Sequence, residues 1–299
     1  MASAARCATA LIGVTAAALA LAACSGNSHP AKVNGAAAVS LVPQRILRAP
    51  RSLLSATQPQ PNGSMWMLAG RSSLGLFEMD SSTGHLTGSV SVSGAARSVA
   101  ETSAGVIGLA LGTARSGALE LLSATGKVTK TVPLPAPARQ VVVGSDGTTF
   151  YVLTSTATTA SVSLVSSRAG RILGSVPMPS GTVSVVPDVP QTTLYALADD
   201  GLVAQVDITG GKVVAQFKTA GQDDTGQSIA LSPDGRTLYV LKTAGGVSNV
   251  ADVNVATEAV RKVLPAPDHC VGVLVSSSGE QLYDLVGTAK YGNIQVFAA

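Results

Sequence analysis

Aromatic residues are scarce in this chain: Phe, Trp and Tyr together make up 3% of 299 residues, with a single Trp. Stacking platforms for bases, quinones or sugars are therefore few, and a core has to be packed from Val, Leu, Ile and Ala. Charge is scarce too, at 12%, against about a quarter in ordinary globular proteins. Twenty Lys plus Arg against 17 Asp plus Glu leave +3 with no long run of one sign, so nucleic acid is not an expected partner. Of the three histidines only His85 and His269 lie beyond the N-terminal region, far apart in sequence, which argues against zinc. There is no Gly-x-Ser-x-Gly, no phosphate-binding loop and no His-Glu-x-x-His. No cofactor and no metal is expected, and no catalytic residue is assigned. The hydrophobic share of 46% excludes disorder.

What is present begins with an address. Arg6 supplies a positive start, Cys7 to Leu21 is an uncharged run rich in Ala, Leu and Val, and Leu21-Ala22-Ala23-Cys24 follows. This arrangement resembles a bacterial lipobox. The resemblance implies cleavage before Cys24, a diacylglyceryl group on its sulfur, and anchorage on the extracytoplasmic face of the cell membrane. An ordinary secretory signal, or an uncleaved helix with an incidental Cys, is the competing reading, although a 15-residue apolar run is short for a span of about 20. The expected divisions are a signal peptide over residues 1–23, a lipidated Cys and flexible tether over 24–37, and one domain over 38–299. With Cys7 removed and Cys24 acylated, Cys270 has no partner in the chain and no disulfide is expected. Cys270 beside His269 reads either as a nucleophile or as a buried inert thiol; neighbours on a strand point to opposite faces, which favours the second.

Beyond the tether the chain repeats. Asn62-Gly63, Ala104-Gly105, Asp146-Gly147, Val189-Pro190, Asp234-Gly235 and Ser278-Gly279 stand between apolar runs at intervals of 42, 42, 43, 45 and 44 residues. A second series, Thr83-Gly84-His85, Thr125-Gly126-Lys127, Ala169-Gly170-Arg171 and Gly210-Gly211-Lys212, keeps the same period. Within one repeat, residues 229–231, 237–241, 250–253 and 260–264 read as four short β-branched strands, and no segment sustains a helical period. Tandem four-stranded units of this length predict a β-propeller.

Ser232-Pro233-Asp234-Gly235 followed by Leu238-Tyr239-Val240, together with Asp146-Gly147 followed by Tyr151-Val152, resembles bacterial YVTN-type propeller repeats of extracytoplasmic proteins. The resemblance covers residues 51–299 and implies a fold, while propellers of this kind serve many roles; the Asp-Gly is lost in repeats one, two and four, and repeat six has Ser278-Gly279 in its place. The last repeat ends after a third strand, Ile294 to Phe297, while Gln44 to Pro50 has the pattern of the fourth strand Arg261 to Pro267. Six blades are therefore expected, closed by the N-terminal segment, which removes two open sheet edges.

If the first strand of each blade lines the channel, the links between blades share one face with the second hairpin turns. Arg51, Arg97 and Arg139 start the first strands of blades one to three, with Thr182, Gln227 and Val271 at the matching places in the others. Arg51, Arg97, Arg139 and Gln227 are the candidate ligand-binding residues, a partial ring for a carboxylate, phosphate or acidic protein segment. The competing account is that each Arg bonds within its own blade or points into water. The expected function is a membrane-anchored binding or scaffold module of the cell envelope, for a protein or anionic ligand. The alternative is a propeller hydrolase or lyase with a metal in the channel or at the rim, where Asp199-Asp200 and Asp223-Asp224 gather.

Overall fold

The structure is a computed structural model that describes residues 42–71, 73–219 and 224–299. The expected signal segment, Cys24 and tether lie outside the described residues, as does Asp223.

The first strand, β1 (Arg45–Ala49), stands apart in sequence from the blade it completes. Blade one comprises β2 (Leu53–Ala56), β3 (Ser64–Gly70), β4 (Leu74–Asp80) and β5 (Leu86–Ser91). Blade two is β6 (Ala96–Glu101), β7 (Ile107–Gly112), β8 (Gly117–Leu122) and β9 (Val128–Leu134). Blade three is β10 (Ala138–Val143), β11 (Thr149–Ser155), β12 (Ala160–Ser166) and β13 (Arg171–Met178). Blade four is β14 (Thr182–Pro187), β15 (Thr193–Ala198), β16 (Leu202–Asp207) and β17 (Val213–Lys218). Blade five is β18 (Thr225–Leu231), β19 (Thr237–Ala244), β20 (Val247–Asn254) and β21 (Val260–Pro265). Blade six is β22 (Cys270–Val275), β23 (Gln281–Gly287) and β24 (Gly292–Ala298), with β1 as its outer strand. Every pairing is antiparallel, and β1 runs against β24 from Arg45 opposite Val296 to Ala49 opposite Gly292. The expectation of six blades closed by the N-terminal segment is met.

Burial follows position in the blade. Second strands are covered on both faces by neighbouring blades, so Ser64–Gly70 and Thr149–Ser155 are buried along nearly their whole length and read as continuous apolar runs. Fourth strands face water and tolerate exposure: Ile46, Leu86, Leu173 and Val214 are all exposed on them. Six apolar clusters result, one at each junction between adjacent blades. Trp66 packs against Leu109 and Val99 at the first of these, which accounts for the lone Trp as core.

The turns that set the repeat use the left-handed region, which explains their glycines. Two repeats manage without. In blade four Gln191 takes the position at φ 57°, and its side chain ties the turn back to blade three: Tyr151 Oη donates to Gln191 Oε1 at 2.9 Å, and Gln191 Nε2 donates to Ser145 Oγ at 3.2 Å. In blade five Glu258 replaces the second-series glycine, also at φ 57°.

Candidate functional site: the central channel

The six inner strands all carry the same irregularity. Each has one residue too many opposite its partner, and the extra residues are Leu54, Arg97, Arg139, Val183, Gln227 and Val271. A bulge leaves its residue unpaired and turns the side chain out of the ladder. All six line the central cavity, which holds about 250 Å³. The mouth of the channel is thus a ring of bulge residues.

Three of the four candidates from sequence, Arg97, Arg139 and Gln227, are brought together there. Arg51 is not. It precedes β2, and its guanidinium donates from Nη1 to Ser73 O at 3.0 Å and Ser73 Oγ at 2.8 Å while lying 5.9 Å from the centre of the Phe77 ring. The residue of blade one that matches Arg97 is Leu54, and in blade four it is Val183 in place of Thr182, which is buried and donates to Pro179 O. The similar strings Ala-Pro-Arg and Ala-Ala-Arg align blade one three residues out of register. The bulge is invisible in the sequence, and only the pairing with the second strand fixes which residue is extra.

The two mouth arginines stand on consecutive blades. Arg97 Nη1 donates to Ala96 O at 3.1 Å and Gly94 O at 3.4 Å, and Arg139 Nε donates to Ser155 Oγ. Among the described residues only Lys242 with Asp224 and Arg261 with Asp252 form ion pairs, so neither mouth arginine has a carboxylate partner there. Each guanidinium has five N–H donors, most of them left for other acceptors.

One residue inward lies a second set of positions, not among the candidates from sequence. Inner strands have a ladder partner on one side only, so half their N–H groups face the channel and need an acceptor. The preceding blade supplies it. Ser55 Oγ accepts from Val99 N at 3.3 Å, Ser98 Oγ from Val141 N at 3.2 Å, and Gln140 Oε1 from Val185 N at 2.7 Å. Ser184 Oγ accepts from Ile229 N at 3.2 Å and Ser228 Oγ from Val273 N at 3.3 Å. The sixth position is Gly272, which has no side chain to offer Ala56 of blade one. The signal was available: Ser, Ser, Gln, Ser, Ser, Gly recur at intervals of 42 to 44 residues, the period of the turns.

Acidic groups are placed unlike the arginines. Glu101 ends β6 on the channel lining, with Oε2 sealed from solvent and unpartnered. Burial and the nearby Glu78 push its carboxyl up to about 7. Asp284 sits in β23 where the other blades carry Met67, Leu109, Val152, Ala196 and Val240; it is 3% exposed, Oδ1 has no partner, and burial raises it to about 7. Cys270 is a free buried thiol, raised far above its ordinary range by burial and by Asp284. The thiolate is strongly disfavoured there, which argues against a nucleophile. At the rim, Asp224 pairs with the buried Lys242 at 2.6 Å and Asp200 Oδ1 accepts from Leu202 N at 3.0 Å. Among the described residues no group of three or more His, Cys, Asp or Glu assembles that would hold a metal ion, and no helix is long and apolar enough to cross a membrane.

The chain is a six-bladed β-propeller with a closed ring and an asymmetric channel mouth. No protein-family model matches it, and no curated protein matches it in sequence. Solved structures are similar in fold. Hydrazine synthase of Kuenenia stuttgartiensis superposes with a TM-score of 0.61 at 17% identity, over 84% of this chain and 76% of that one. The β-propeller domain of Myceliophteria thermophila Cps50 (Swd1) superposes with a TM-score of 0.60 at 12% identity, over 83% and 82%. At these identities the likeness concerns architecture alone.

Proposed function

We propose that this protein is an envelope lipoprotein, held on the extracytoplasmic face of the cell membrane through Cys24, whose YVTN-type propeller captures an anionic group at the channel mouth. The fold is compatible with a binding or scaffold module. The observation that carries the site is the pair Arg97 and Arg139, at the bulge positions of adjacent blades, without a carboxylate partner among the described residues. Two exposed guanidinium groups side by side repel unless counter-charge arrives, and a carboxylate or phosphate supplies it through paired N–H donors. Arg51 does not line the channel, and its Nη1 donates to Ser73. The anchor rests on Leu21-Ala22-Ala23-Cys24.

The double replacement Arg97→Gln and Arg139→Gln is expected to abolish capture of an acidic peptide and to remove the loss of affinity with added salt, while leaving the melting temperature unchanged. An acidic peptide held equally by both proteins would refute the site. Cys24→Ser is expected to move the protein out of the detergent phase on phase partition; an unmodified Cys24 in the wild-type mature protein would end the lipoprotein reading.

A further inference from the structure

The channel has unlike walls, and the difference specifies more than an anion. All three charged lining residues belong to blades two and three: Arg97 and Arg139 at the mouth, and Glu101 at the other end of the strand that carries Arg97. Arg97 and Glu101 are separated by roughly 13 Å along that strand. On blades four to six the lining is otherwise apolar and includes Val183, Val186, Ile229, Val271 and Val273, with Ser184 and Ser228 committed to the inter-blade belt. Gln227 is the one polar lining side chain there outside the belt.

Size narrows the class. An apolar cavity of about 150 Å³ holds benzene, so the volume of this channel suits roughly ten non-hydrogen atoms. Inorganic phosphate or acetate would leave most of it unfilled. A multiply charged ligand would bring uncompensated charge against the valine wall, which is costly. A single carboxylate at the mouth with an apolar body behind it satisfies both ends.

The inner end adds a third requirement. Glu101 lines the channel, and its Oε2 is shut away from solvent with no hydrogen-bond partner. An ionised carboxylate in that setting lacks compensation, whereas a neutral carboxyl donates one hydrogen bond.

We propose that the channel binds a small amphipathic organic acid, its carboxylate on Arg97 and Arg139, its apolar body against Val183, Val271 and Val273, and a carbonyl acceptor at its far end facing Glu101. This rests on the anion site proposed above and goes further by fixing the size, the single charge and the distal acceptor.

The test is isothermal titration of the full-length chain with para-acetylbenzoate, para-ethylbenzoate, acetate and acetophenone. para-Acetylbenzoate is expected to bind at least tenfold tighter than acetate and about fivefold tighter than para-ethylbenzoate, and acetophenone is expected not to bind. Arg97→Gln with Arg139→Gln should abolish binding of all three acids. Glu101→Ala should erase the preference for the ketone while para-ethylbenzoate still binds, and Glu101→Gln, which keeps a donor, should restore it. If acetate binds in an Arg-dependent way and para-acetylbenzoate binds no tighter, the amphipathic acid is overturned and the anion site stands. If no acid binds in an Arg-dependent way, both fall. A preference for the ketone that survives Glu101→Ala overturns the assignment of the inner end.

Discussion

Five of the six junctions between blades are sewn by a side chain of one blade accepting from a backbone N–H of the next, and the sixth, where blade six meets blade one, is not. Gly272 interrupts the belt at the place where the ring closes. That junction is held by other means. Strand β1 pairs with β24 over five residues, and Leu47 joins Leu53, Met65, Met67, Tyr283 and Ile294 in one buried cluster. Backbone also approaches backbone there: a Cβ on Gly287 would lie 2.2 Å from Leu53 O and one on Gly292 2.6 Å from Leu53 N. The contrast shows that a propeller tolerates the loss of one polar stitch where strand exchange and apolar packing supply the closure.

Breaking the seam is expected to have the largest effect. Deletion of residues 42–50 removes the outer strand of blade six and uncovers Leu47's partners; unfolding in denaturant should show a loss above about 4 kcal/mol, or no folded protein. Leu47→Ala, which keeps the strand, should cost about 2–5 kcal/mol by the same measurement. A deletion that leaves the melting curve unmoved would show that β1 contributes nothing to closure.

Next in size is the neighbouring junction between blades five and six, where Asp284 occupies an apolar position. Its carboxyl is at about 7 in the folded protein against 3.8 ordinarily. Below pH 4 it is protonated in both states and costs nothing electrostatic; as pH rises from about 4 to 7 the unfolded chain releases the proton first, so stability falls and stays low above 7. The full penalty is roughly 4 kcal/mol at 1.36 kcal/mol per pH unit. Stability measured from pH 5 to 8 should therefore decline. Asp284→Val, the residue blade five has at this place, should be more stable at pH 8 by about 2–4 kcal/mol and keep only the smaller decline that Glu101 causes. A variant no more stable than wild type at pH 8 would mean that the carboxyl finds a partner in solution.

The belt itself gives the smallest effects and the sharpest contrast. Ser184→Ala strips the acceptor from Ile229 N and should cost about 1–3 kcal/mol. Gly272→Ser supplies the missing stitch at the seam, but its Cβ would meet Leu285 Cδ1 at 3.2 Å, so the gain should stay below about 1 kcal/mol. A loss as large as that of Ser184→Ala would mean that the seam excludes a side chain.

The blade count, the closing strand and the turn series were legible in the sequence because each depends on local chemistry repeated at one period. Turn residues, alternating strands and an orphan fourth strand are readable one segment at a time. The mouth was legible in part. Arg97, Arg139 and Gln227 meet there, but Arg51 was drawn in by a similar string, since register against the second strand is a relation between segments that a bulge shifts by one. Asp284 was hidden for a related reason: Asp within Leu282-Tyr283-Asp284-Leu285 reads as a polar position of a strand, and only the packing of two blades against both faces makes it buried.

The pairing of Arg45 with Val296 spans almost the whole domain. Every other strand finds its partner within a hairpin, but this one has to wait for the far end of the chain. Closing a loop of that length costs roughly 3–4 kcal/mol more in chain entropy than a hairpin loop of about five residues. Closure of the last blade is therefore expected to be the slow step of folding: five sheets can form in order along the chain, while blade six holds three strands until the two ends meet. Until then both margins of the opened ring, β2 with its cluster and β24 with its bare edge, are accessible to the matching margins of another copy, and exchange of β1 between chains is the misassembly this topology invites at high concentration.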